Sequence, residues 1–377
     1  MNSVTERRLR FVSGNQMIAY GAVAAGCRFF AGYPITPASG IYRTMIEELQ
    51  GRGEVAISAP DEISALAYCV GASMAGHKAM TATSGPGWAL MVETFQYALM
   101  TETPVVVVLV QRLGPSTGGA TQGAQGDVLF SEYSVSGGYT VPVLCPSNVA
   151  ECYDLTIEAF AWAERLRSPV ILLSDKEVGM MNESVDVGIL RDASDVKRPM
   201  SGGSLTRKMY DFVHPADIPA FRNVGGDQKV TATGSAHNKS GELRKNDPET
   251  MEVLLHLEEK IAARTSELAI TRLDEQTGAR TLVVSYGITA RAAREAAKAA
   301  RMCGKKVSVL SIQSLFPVPE DRIRQALSGI DRVVVAEENF GGQYRSCIDH
   351  LCAGREMVGV NRIGSMITPG EIEAAIV

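Results

Sequence analysis

Pro104-Val105-Val106-Val107-Val108-Leu109-Val110-Gln111 carries no polar side chain between its two ends. A strand with one face in water alternates apolar and polar residues; one that does not alternate is buried on both faces, as in the middle of a parallel sheet. The run is too short to cross a bilayer. On its amino side, Lys78 to Thr83 reads as a strand that enters Ser84-Gly85-Pro86-Gly87, and Trp88 to Thr101 as a helix. Further back lie the short run Cys27 to Ala31 stopped by Gly32, the run Glu54 to Ser58, and a helical stretch from Asp61 to Ala75. On the carboxyl side come a helix over Glu151 to Leu166 and a strand over Pro169 to Ser174. Strands alternating with helices of this length predict an α/β fold built on a doubly wound parallel sheet over residues 1–190.

Between Arg191 and Asp247 the texture changes to polar stretches punctuated by Ser201-Gly202-Gly203-Ser204, Gly225-Gly226 and Ser240-Gly241. Tyr210, Phe212 and Phe221 within it argue for an ordered connection. A helix from Pro248 to about Arg272 completes a connecting segment over 191–275. Residues 276–377 then read as a smaller α/β unit. Its strands are Thr281 to Tyr286, Lys306 to Ser311 and Arg332 to Glu337, with helices over Thr289 to Met302 and Pro319 to Leu327.

At 377 residues and 40.4 kDa the chain can bury two or three cores. A net charge of −5 leaves no basic stripe of the kind nucleic acid demands. Met1 to Arg8 has no apolar core behind it and does not read as a secretion signal, and no run is long enough for a membrane span, so the cytoplasm is the expectation. The seven cysteines are odd in number and form no C-x-x-C pair, which argues against a disulfide framework and against a cluster held by four thiolates. Cys347 and Cys352 read as buried small hydrophobes before a partial metal site, and no metal ligands are expected on this chain.

Ligands of open α/β sheets bind outside the carboxyl ends of the strands. The loops there are Gly32-Tyr33-Pro34-Ile35-Thr36-Pro37, Pro60-Asp61-Glu62, Thr83-Ser84-Gly85-Pro86-Gly87, Gln111-Arg112-Leu113-Gly114-Pro115-Ser116-Thr117-Gly118-Gly119 and Asp175-Lys176-Glu177. Nucleotide readings are weak. Gly85-Pro86-Gly87-Trp88-Ala89-Leu90 lacks the third glycine of a dinucleotide fingerprint, Gly71 to Gly76 ends a helix instead of opening one, and Gly226-Asp227-Gln228 is not a Gly-Asp-Gly diphosphate signature. Taken singly, Glu62 can be a first-turn acid that complements a helix dipole. Arg112 can be a surface arginine, although its place after a wholly apolar strand would hold a planar fork suited to a carboxylate inside the crevice. Thr36 can be a turn residue between two prolines.

In order and spacing, Gly32-Tyr33-Pro34-Ile35-Thr36-Pro37-Ala38-Ser39, Asp61-Glu62-Ile63-Ser64-Ala65-Leu66, Ala82 to Gly87 and Arg112 to Gly118 resemble the α subunits of 2-oxoacid:ferredoxin oxidoreductases. Thr233 to Asn238 and Ala336 to Gln343 fit the same family, so the resemblance spans essentially the whole chain. It implies a pyrimidine-binding domain for thiamine diphosphate followed by a transketolase C-terminal-like domain, without a fused γ domain. It further implies a β subunit that shares the thiamine diphosphate and carries Mg2+ and a [4Fe-4S] cluster, separate γ and ferredoxin-like δ subunits, ferredoxin as electron acceptor, coenzyme A as co-substrate, and an (αβ)2 or larger assembly.

Thiamine chemistry needs a carboxylate on the aminopyrimidine ring, and Glu62 stands at the matching position as the implied catalytic residue. Arg112 and Thr36 are the implied substrate-carboxylate ligands; Pro34, Ile35, Ser84, Gly85 and Gly87 are implied to shape the cofactor site. The implied reaction is oxidative decarboxylation of a 2-oxoacid to its acyl-CoA, or the reverse. 2-Oxoglutarate is the expected substrate, with Arg43 and Lys176 as candidates for a second cation; Gly119-Ala120-Thr121-Gln122 departs from the commoner Pro-Thr form of its loop. Pyruvate and branched-chain 2-oxoacids stay open, as do a non-catalytic binding subunit of the same fold and a nicotinamide dehydrogenase. His237 lies in a shared motif without an assigned role.

Overall fold

The computed structural model describes residues 8–193, 196–200, 208–226 and 229–376. Most of the amino-terminal stretch Met1 to Arg8, the Ser201–Ser204 punctuation and Asp227-Gln228 therefore lie outside the described residues.

The all-apolar run forms the strand Val105–Gln111, buried at every position. It sits in the middle of a seven-stranded sheet whose order is Ser314–Phe316, Val143–Leu144, Pro169–Asp175, Val105–Gln111, Ala79–Thr83, Phe29–Gly32 and Val55–Ser58. All neighbouring pairs are parallel except the first, which is antiparallel. The helices Glu62–Met74 and Gly85–Met100 pack together over one face, where Leu66, Trp88 and Phe95 join the core. Gly14–Ala24, Ser39–Gln50 and Val149–Leu166 cover the other, so the sheet is doubly wound as expected.

A five-stranded sheet follows, in the order Glu356–Asn361, Arg332–Glu337, Thr281–Tyr286, Val307–Ile312 and Thr271–Asp274. Thr271–Asp274 corrects the expected helix from Pro248 to Arg272. The helix stops at Ala262, and Thr271-Arg272-Leu273-Asp274 alternates half-buried and exposed residues along the antiparallel edge. Ser314–Phe316 leaves this second unit to close the edge of the first sheet, pairing with Val143–Leu144.

Between Arg191 and Asp247 there is little regular structure among the described residues, yet the aromatics are buried: Tyr210, Phe212 and Phe221 all lie in the interior. Phe212 stacks on His256, and Arg167 organises the other two. Its guanidinium lies 5.5 Å and 5.2 Å from the Tyr210 and Phe221 ring centres, and its Nη1 donates to the Pro219 and Ala220 carbonyls at 3.1 Å. His237 has a comparable part. It stacks on Tyr210 at 4.4 Å, and its two ring nitrogens face the Asn238 and Met100 carbonyls at 2.9 and 3.1 Å. No helix among the described residues is long and apolar enough to cross a membrane.

Candidate active site

The parallel strands open their carboxyl ends onto one edge, and the loops there are tied down individually. Asn15 on the Gly14–Ala24 helix donates from Nδ2 to the Pro37 carbonyl at 2.9 Å, which anchors the loop from Tyr33 to Ala38. Within that loop Pro34 is exposed and Ile35 packs against the core.

Asp61 caps the next helix. Its Oδ1 accepts the Ser64 N–H at 2.7 Å, a bond that holds the Asp61 carboxyl below the usual carboxylate range. The cap makes Glu62 the first helical residue and leaves it only 7% exposed. Its neighbour is Gly87. A Cβ on Gly87 would come within 2.7 Å of the Glu62 Cγ and Oε1 and within 2.2 Å of Thr83 Oγ1, so a side chain there would displace the carboxylate. Gly85, Pro86 and Gly87, which the sequence places in a loop, form the first turn of the helix Gly85–Met100, because proline is well suited to a first turn that needs no N–H from it. Ser84 is the residue at the cap, but its hydroxyl makes no capping bond and is buried with no partner. Such orphaned groups are uncommon in folded proteins.

Arg112 is also only 7% exposed. Its Nη1 donates to the Thr36 carbonyl at 2.9 Å, while its Nε has no partner. Thr36 thus meets Arg112 through its backbone. Arg112 lines a cavity of about 410 Å³ with Leu113, Asp127, Phe130, Phe340 and Ile363. Arg43 is exposed on its helix and Lys176 is paired with Glu177 at 3.4 Å; neither lines that cavity.

Sequence reasoning missed Asp127. Its Oδ2 is buried without a partner, and burial pushes the carboxyl up to about 6 against the pull of Arg112. Both carboxyl oxygens lie 3.1 Å from where a Cβ on Gly85 would sit. The one sequence signal was its place in the loop that follows Arg112.

Gln111 connects this wall to a polar junction beneath. Its Oε1 accepts from the Asp127 N–H at 3.2 Å, and its Nε2 donates to Asp175 Oδ1 at 2.7 Å. Asp175 Oδ2 accepts from Gln125 Nε2 at 3.0 Å and from the Ile288 N–H at 2.5 Å. Burial pushes Asp175 up to about 7 in spite of these donors. Gln125 continues into the second unit, where its Oε1 accepts the Glu338 N–H at 3.0 Å. Glu338 is pushed up to about 8, by burial and then by Asp175.

All seven cysteines are free thiols, and five of them are buried. Burial pushes the Cys27 and Cys347 thiols up to about 12 and raises Cys69, Cys145 and Cys152 as well, which disfavours the thiolate that binds metal. Among the described residues no three His, Cys, Asp or Glu side chains gather into a metal-binding group.

Residues 20–253 match the family model for pyruvate flavodoxin/ferredoxin oxidoreductase, thiamine diphosphate-binding, and residues 279–371 match that for pyruvate:ferredoxin oxidoreductase core domain II. The chain is 39% identical over 336 residues to the 2-oxoglutarate synthase subunit KorA of Methanothermobacter marburgensis, covering 89% of each. It is 33% identical to the ketoisovalerate oxidoreductase subunit VorB of Methanothermobacter thermautotrophicus, over 94% of this chain and 93% of that one. Among solved structures it superposes on the 2-oxoglutarate:ferredoxin oxidoreductase of Magnetococcus marinus, with 2-oxoglutarate, coenzyme A and succinyl-CoA bound, at a TM-score of 0.91 and 29% identity. That match covers 98% of this chain but only 64% of the other. A split-gene transketolase, at 13% identity and a TM-score of 0.55, shares the fold.

Proposed function

The chain belongs to the 2-oxoacid:ferredoxin oxidoreductases as the thiamine-diphosphate-binding α subunit, and on that premise we propose that it serves the oxidative decarboxylation of 2-oxoglutarate to succinyl-CoA with reduction of ferredoxin. In this reading residues 1–190 hold the pyrimidine half of the cofactor, 191–275 connect, and 276–377 form the transketolase C-terminal-like domain. A β subunit supplies the diphosphate and Mg2+ site and the [4Fe-4S] cluster, with γ and ferredoxin-like δ chains completing the complex in the cytoplasm.

The observation that carries the proposal is the buried Glu62 carboxylate, backed by a glycine that leaves no room for a side chain. With the unpartnered Ser84 hydroxyl it suits a heteroaromatic ring bearing both donors and acceptors. When bound, thiamine diphosphate supplies the carbon nucleophile and stabilises the negative charge left by loss of carbon dioxide. Glu62 holds a proton against the aminopyrimidine ring. Gly87 leaves the space that the carboxylate itself occupies, and Ser84 and Gly85 would shape the wall beside the ring. Arg112 orients the 2-oxoacid by its carboxylate, with Thr36 fixing the guanidinium.

Glu62→Gln should leave folding and subunit assembly intact and lower turnover by about 10²- to 10⁴-fold, the usual weight of a general acid–base group. Coenzyme-A-dependent reduction of a viologen dye by the co-purified complex is the measurement, and near-normal turnover would remove Glu62 from this role. A second reading rests on the cavity wall, where Arg112 is the one cation among Leu113, Phe130, Phe340 and Ile363. Such a wall also suits a branched-chain 2-oxoacid. Comparing kcat/KM for 2-oxoglutarate, pyruvate and 2-oxoisovalerate decides between them.

A further inference from the structure

Among the described residues, Arg112 and Asp127 are the two charged groups in the wall of one cavity, on the elements that follow the same strand. Asp127 is not paired with a hydrogen-bond donor at Oδ2. The first turn of the Gly85–Met100 helix lies against its carboxyl, with Gly85 and Pro86 offering no titratable side chain. Phe130 on its own helix and Phe340 and Ile363 from the second unit complete the apolar surround. Asp175 is one hydrogen-bonded residue away, across Gln111, and Glu62 lies beyond Gly87. Arg112 is the charge that acts on Asp127 directly.

A substrate carboxylate that settles on the free Nε side of Arg112 changes this balance. It neutralises the one charge that favours ionised Asp127 and adds a second anion in the same cavity. Two carboxylates that share a desolvated site cannot both stay ionised cheaply, and one takes a proton. Asp127 is the one free to do so, because the substrate carboxylate has Arg112. Protonated, its O–H is a donor where the site otherwise has an unpartnered oxygen.

Resting on the function proposed above, we propose that Asp127 is a substrate-binding residue of this cavity: on binding of the 2-oxoacid it takes one proton from solvent and donates the resulting hydrogen bond to the bound substrate. No bond to carbon changes in this step; the proton comes from water and returns when the site empties. The position of its carboxyl, about 6, puts the exchange close to neutral pH.

The test uses the complex assembled with its partner subunits and KM for whichever 2-oxoacid it turns over, between pH 5.5 and 8.5. One proton taken up per substrate requires KM to rise above pH 6, approaching roughly tenfold per pH unit, while kcat keeps its own profile. Asp127→Asn, neutral at every pH and the same shape, should give a KM that is flat across this range and lower than the parent's at pH 8. A purely structural Asp127 would alter the melting temperature and leave the slope of KM in place, which overturns the proposal. If the variant fails to assemble, calorimetry of the parent complex at pH 7.5 in phosphate and in Tris reports proton uptake directly. Close to one proton per site supports the assignment, and none refutes it. Turnover with a pH-independent KM sinks this inference alone, whereas failure to turn over any 2-oxoacid sinks the function beneath it.

Discussion

One arm of the Arg112 guanidinium is spent on the Thr36 carbonyl, and its Nε side is left without a protein partner. A planar fork held in this way can offer its remaining donors to a carboxylate; a lysine ammonium in the same place cannot hold the loop and the substrate in one geometry. Arg112→Lys should therefore lower kcat/KM for the 2-oxoacid by roughly 30- to several-thousand-fold, the equivalent of about 2–5 kcal/mol for a broken buried charge pair. Affinity for thiamine diphosphate should hardly move. Lysine tolerated with little kinetic change would leave Arg112 with no more than its hold on the Thr36 loop. Glu62 and Arg112, each buried at a helix start or strand end, were singled out in the sequence by the family resemblance, since taken singly each had a bland reading. Asp127 was not, since what singles it out is the approach of Gly85 from another part of the chain. His237 was singled out by its motif, but its role as a staple between Tyr210 and two carbonyls depends on contacts distant in sequence.

Helix starts carry much of this architecture, and two glycines show how differently the same residue type can be used. Gly87 faces Glu62 and Thr83, while Gly71 on the Glu62–Met74 helix has nothing within 4 Å of where its Cβ would be. Gly71→Ala should stabilise the chain by about 0.5–1 kcal/mol through helix propensity, visible as a higher melting temperature with turnover unchanged. Gly87→Ala should displace the carboxylate and reduce turnover by about 10²-fold or more, as misplacement of a reacting group by an ångström can. Equal behaviour of the two variants would break the link between Gly87 and Glu62. The strands of both sheets were readable where burial is complete, as at Val105–Gln111 and Thr281–Tyr286. Half-buried edges were not: Thr271–Asp274 reads as a helix end until Val307–Ile312 is seen beside it, and the three residues of Ser314–Phe316 carry too little pattern to reveal a partner in another sheet.

Among the described residues, burial holds five acids above their ordinary range: Asp154, Asp127 at about 6, Glu132 and Asp175 at about 7, and Glu338 at about 8. The folded chain keeps protons on them that the unfolded chain has already released. Their stabilising contribution is therefore full below the ordinary carboxylate range and is lost as pH climbs through 6, 7 and 8. The melting temperature of the isolated chain should be lower at pH 8.5 than at pH 6; a flat or rising profile would mean that these groups are ionised in the fold. The strand Ser314–Phe316 has a different reach. Because Ser314 and Phe316 are in register with Leu144 and Val143, the two halves are laced through a common sheet as well as joined by the peptide between Asp186 and Pro248. A protease nick in that peptide should leave both fragments eluting together from a sizing column. A fragment ending before Thr271 would instead expose the backbone of Val143–Leu144 as a bare edge, open to pairing with its own copies. Severing the covalent link is thus a milder injury than removing the tail.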